Sequence, residues 1–96
     1  MAYDPGAIDA TLAAAVGDEP GLIAELRAAF VDSAERAIDS IETARSDDAW
    51  ALAAARLKGL AASFGAVRLM SLASEAACTP GNDEAVRKLR RAVARL

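Results

Sequence analysis

Ninety-six residues can build one hydrophobic core but not two, so the chain is read as a single domain over 1–96. It has no histidine and one cysteine, Cys78; this removes the commonest general base, the commonest metal ligand and any intrachain disulfide, and no metal site or cofactor is expected. The net charge of −3 conceals an asymmetry: residues 1–50 hold eleven acids and three bases (net −8), residues 51–96 three acids and eight bases (net +5), which argues against a general nucleic-acid binder and suits the second half to an acidic partner.

Alanine and leucine dominate and β-branched runs are few, so an all-α protein is expected. Asp4-Pro5 reads as an N-cap with proline at the first helical position, and Gly17 closes a short first helix over about 5–16. "GDEPGL" is a break, with Asp18 the expected cap of a second helix over about 19–45. Its apolar residues fall at 22, 26, 30, 34, 37, 41 and 44, one stripe at helical period, while Glu25, Asp32, Asp39 and Glu42 lie off the stripe and should face water. Ser46-Asp47-Asp48 caps a third helix to Phe64, and Gly65 is placed to end it in a left-handed conformation. A fourth helix over 66–78 carries Val67, Leu69, Met70, Leu72, Ala73 and Ala76 as its apolar residues. "CTPGND" closes it, and Asn82 caps a last helix over 83–95 with Val86, Leu89, Val93 and Leu96 on one side. Short connections between long amphipathic helices imply an antiparallel up-and-down four-helix bundle with an additional short N-terminal helix. Phe30, Ile41, Leu57, Phe64, Leu69 and Leu89 are expected deep in it.

No stretch approaches the roughly 20 apolar residues that span a bilayer, and "MAYDPGAIDA" has no basic n-region followed by an apolar run, so no signal peptide is expected; a cytoplasmic protein with no membrane partner is expected. The third helix is the unusual one. On a helical wheel Trp50, Ala53, Ala54, Leu57, Leu60, Ala61 and Phe64 share one face. The opposite face holds Asp48, Ala51, Leu52, Ala55, Lys58, Gly59 and Ala62, where long charged side chains would be usual. Gly59 costs about 1 kcal/mol relative to alanine in a helix interior. Either the small residues admit a neighbouring helix, or they keep a surface clear for a partner's backbone, with Lys58 as a cation at its centre.

At this point "AARLKGLAASFGAVRL" resembles the signature of the histidine-containing phosphotransfer (HPt) domain: roughly Ala-His-x-Leu-Lys-Gly, five residues, then Gly-Ala-x-x-Leu. Ala54, Leu57, Lys58, Gly59, Gly65, Ala66 and Leu69 fall in register, and the resemblance covers essentially the whole chain. The departure is Ala55, which stands where the family has its phosphoacceptor histidine. Ser63 and Thr79 are hydroxyls without a base and do not replace it.

The resemblance implies a phosphoryl carrier of a two-component phosphorelay, not an enzyme on its own. It exchanges phosphoryl groups with the receiver domain of a response regulator or hybrid histidine kinase, and the receiver supplies an acidic pocket and Mg²⁺. It also implies that Lys58 balances charge at the phosphoryl site and that Gly59 lets receiver loops close over it. Ala51, Leu52, Ala55, Arg56 and Ala62 would form the docking surface around them. Lacking the acceptor, this chain should bind receivers, as a monomer, without relaying. Two accounts of Ala55 stand: a truncated acceptor in an otherwise active carrier, or a natural non-phosphorylatable adaptor that competes for a receiver. Arg56 and Arg68 could join a phosphate patch. Arg87, Lys88, Arg90, Arg91 and Arg95 are read as a charged surface attracted to the acidic 19–45 helix, in preference to a nucleic-acid site. Cys78 is read as lining the end of the bundle.

Overall fold

A computed structural model describes Ala10, Leu12 and residues 19–96. Among them the chain is all-helical: α1 Pro20–Glu42, α2 Asp47–Ser63, α3 Val67–Ala77 and α4 Asp83–Ala94. The helix expected over 5–16, with its Asp4-Pro5 cap and Gly17 stop, lies outside the described residues apart from Ala10 and Leu12. Both of these are helical, and the Leu12 side chain is buried in the common core.

Local chemistry accounts for the helix ends. Asp18 also lies outside the described residues; Glu19 is the N-cap of α1 without a side-chain cap bond, and Pro20 opens the helix, where its missing N–H costs nothing. The C-terminal end comes earlier than the pattern suggested: the Thr43 hydroxyl donates to the Asp39 carbonyl at 2.8 Å, and the Thr43 N–H donates to the same oxygen. Ser46 caps α2 by accepting from the Ala49 N–H at 3.0 Å, and Asn82 caps α4 by accepting from the Ala85 N–H at 3.1 Å. Past α2, Gly65 sits at φ 70°. The Ala66 N–H returns to Ala61 O at 2.9 Å and the Gly65 N–H to Ala62 O at 3.2 Å, a Schellman closure that only glycine enters without strain. Between α3 and α4, the Asn82 N–H reaches back to Thr79 O across Pro80 and a positive-φ Gly81.

The helices touch in a cycle: α1 against α2, α2 against α3, α3 against α4, and α4 against α1. Phe30, Ile38, Ile41, Leu57, Leu69 and Leu89 are its fully buried large side chains, each worth on the order of 1.5–3 kcal/mol in burial. Trp50 crosses from α2 to α3, its indole N–H donating to the Ala76 carbonyl at 2.6 Å in the buried interior.

Several sequence expectations need correction. Ile38, off the single stripe drawn for α1, is fully buried, while Leu22 on that stripe is exposed; α1 packs against two helices, so its buried face is wider than one row and fades towards its N-terminal end. Phe64 is only half-buried, because it is the C-cap residue where α2 ends; its ring stacks on Phe30 with centroids 4.6 Å apart. Val67 opens α3 and is 56% exposed. No described helix is long and apolar enough to cross a membrane.

Candidate functional site

The buried face of α2 consists of Trp50, Ala53, Ala54, Leu57 and Ala61, with Leu60 half-covered. Rotating half a turn gives a different surface. Leu52, Ala55, Arg56, Lys58, Gly59 and Ala62 are all exposed, and Ala51 is half-buried. Positions 55, 58 and 59 are neighbours on it, since residues three and four apart sit one above the other on a helix.

Gly59 separates the two explanations of the small residues. A Cβ built at Gly59 meets nothing within 4 Å, so no neighbouring helix among the described residues leans on it. Close helix–helix approach is instead served by alanines on the other side, Ala54 and Ala61 in α2 and Ala73 in α3, each fully buried. The exposed strip is therefore bare for a reason outside the packing of the described residues. Leu52, 54% exposed, adds apolar area to it.

The signature divides along the same line. Ala54, Leu57, Ala66 and Leu69 are fully buried, and Gly65 holds the left-handed turn. These five matched positions are explained by folding. Lys58 and Gly59 are matched and exposed, they flank the exposed Ala55, and nothing in the described fold requires them.

Neither hydroxyl is poised as a nucleophile. The Ser63 hydroxyl donates to the Gly59 carbonyl at 3.0 Å, and the Thr79 hydroxyl lies against the Glu75 and Ala76 carbonyls. Cys78 is the exposed C-cap of α3. Among the described residues, no group of three or more His, Cys, Asp or Glu is placed to hold a metal ion.

The charged surfaces lie elsewhere. Arg90 of α4 reaches Asp39 at 2.9 Å and Glu42 at 2.7 Å on α1, the attraction expected between the basic and acidic helices. Those hydrogen bonds, to Asp39 first and then Glu42, raise the Arg90 pKa further above its ordinary value. Arg91 and Arg87 both bond Glu84, and those side-chain hydrogen bonds hold its carboxyl below the usual range. Arg56 and Arg68, joined in a possible phosphate patch from sequence, lie on different helices; Arg68 lines a groove with Lys88, Arg91 and Arg95 that does not include Arg56. That grouping was missed, although positions 88, 91 and 95 stand at helical spacing.

Comparison with protein-family models, with curated proteins and with solved structures finds no match for this chain.

Proposed function

We propose that this chain is an HPt-type protein that docks the receiver domain of a response regulator or hybrid kinase through the exposed face of α2 and, lacking an acceptor imidazole at position 55, does not relay a phosphoryl group. The observation that carries the reading is Gly59: a helix-interior glycine with open space where its side chain would stand, beside an exposed alanine and an exposed lysine. A residue that costs about 1 kcal/mol of helix stability and relieves no internal clash is explained by what must approach it. Lys58 supplies a cation for the receiver's acidic pocket, and Leu52 and Ala62 supply small and apolar contact area.

The same reading completes the architecture. The cycle of helix contacts, joined by short connections, supports an antiparallel up-and-down four-helix bundle with a short N-terminal helix, forming one domain. The protein is a monomeric cytoplasmic carrier-type module and not an enzyme by itself; Mg²⁺ belongs to the receiver.

The test is a titration of the parent chain and of Gly59→Leu against a receiver domain, followed by calorimetry. Binding by the parent and loss of binding by the folded variant are expected. Unchanged affinity would remove the glycine from the interface and this reading with it. Ala55→His, offered a phosphorylated receiver, should acquire acid-labile phosphate if the parent scaffold is a carrier; a variant that binds receiver yet takes up none identifies a binding-only adaptor.

A further inference from the structure

A second surface lies in the groove between α3 and α4, a cavity of about 180 Å³ lined by Arg68, Leu72, Lys88, Arg91, Ala92 and Arg95. Four cations therefore surround an apolar floor, on which Leu72 is buried and Ala92 half-buried. No acid lines it. Arg91 is engaged by Glu84, but among the described residues no carboxylate pairs with Arg68, Lys88 or Arg95. Elsewhere on the same helix, Arg87 and Arg90 also find acids, so three of the groove's four cations, Arg68, Lys88 and Arg95, are the ones without an ion pair among the described residues.

The arrangement selects among anions. Lys88, Arg91 and Arg95 succeed one another along about 10 Å of helix axis, too far for one phosphate to touch them all. A row of carboxylates repeating each turn of a helix matches that spacing, and its aliphatic side chains would find the Leu72–Ala92 floor. No aromatic lines the groove for base stacking. A broad polyanion, such as duplex DNA or an anionic bilayer, would extend past α4 to α1, where five acids (Glu25, Asp32, Glu35, Asp39 and Glu42) outnumber two bases and disfavour it.

We propose that the α3–α4 groove binds an acidic amphipathic helical segment of a partner protein, its carboxylates along Lys88, Arg91 and Arg95 and across from Arg68. This site is separate from the exposed face of α2 and does not depend on the receiver reading.

The probe is a labelled helical peptide of leucine, alanine and glutamate, with glutamates at i, i+3 and i+7, titrated with the full chain and followed by fluorescence anisotropy. Binding that weakens with salt is expected, with no binding of the same peptide carrying glutamine. Arg68→Glu/Arg95→Glu should weaken it by about tenfold, two exposed charges reversed, and the milder Arg68→Gln/Arg95→Gln should fall between. None of these changes removes an ion pair of the described fold, and circular dichroism verifies that the helices remain. Gly59→Leu should bind the peptide like the parent, so failure here and failure of the α2 reading are told apart. The proposal is overturned if the glutamate peptide does not bind at millimolar concentration, or if the double variants bind it unchanged. It is equally overturned if inorganic phosphate displaces the peptide at matched ionic strength, or if duplex DNA or phosphatidylserine vesicles bind the groove more tightly than the peptide does.

Discussion

The outward faces of α2 and α4 make opposite use of solvent exposure. On the flank of α4 away from the α3–α4 groove, Arg87 and Arg90 stand outward and each finds a carboxylate, on its own helix or across on α1. On α2, the outward face is reduced to alanines, a glycine, a leucine and few charges, and Lys58 meets no acid among the described residues. A surface whose only task is to stay wet takes the first form, because long charged side chains favour the helix, keep the chain soluble and cover apolar neighbours. The second form gives up those advantages. The difference separates a face whose charges are paired from one left bare, although both helices bury their other side in one core.

The contrast breaks most decisively at Gly59. If α2 docks a receiver as proposed, Gly59→Leu should weaken that binding by about a hundredfold or more, equivalent to about 2.8 kcal/mol, while Arg87→Leu on α4 leaves it unchanged; parallel titrations of the two variants measure this. The contrast also assumes that α2 is held rigidly by its buried side. Trp50→Phe removes the indole donor to the Ala76 carbonyl, which still accepts from the Thr79 N–H. Chemical denaturation should register a loss of about 0.5–1.5 kcal/mol, with any affinity for a receiver retained in the native range.

Smaller effects sharpen the comparison with opposite signs. Gly59→Ala should raise stability by up to about 1 kcal/mol, because open space surrounds the new methyl and alanine is the better helix former. Arg90→Gln should lower stability by less than about 1 kcal/mol, since the pairs with Asp39 and Glu42 are substantially exposed; the loss should shrink in high salt, whereas the Gly59→Ala gain should not. The smallest effect is titration of Glu84. Its folded pKa lies below its unfolded value, so the stabilisation is present above the unfolded pKa and is lost as pH falls through the lowered folded one. A slight acid-side decrease in the thermal midpoint, absent in Glu84→Gln, is the expected reading.

Much of this was legible along the chain because the signals are local. Ser46 and Asn82 act as the caps that their positions suggested, Gly65 takes the left-handed conformation required of it, and the buried side of α2 follows the wheel from Trp50 to Ala61. Caps, helix stops and apolar periodicity involve neighbours within one or two turns, so they can be read without knowing where the other helices go. Exposure of Ala55, Lys58 and Gly59 was legible for the same reason.

What periodicity could not decide was width, company and vacancy. Ile38 is buried because α1 meets two helices, and Phe64 is half-covered because α2 ends beneath it; both depend on where other elements lie. Arg68 joins Lys88, Arg91 and Arg95 across a helix–helix groove that no linear spacing connects. Above all, the small residues of α2 could have served helix packing or a partner equally well. Sequence alone determined an all-helical chain with a bare face bearing a lysine and a glycine. Only the tertiary structure showed that nothing in the described fold approaches that glycine, because vacancy depends on where distant helices pass, and local sequence does not carry that.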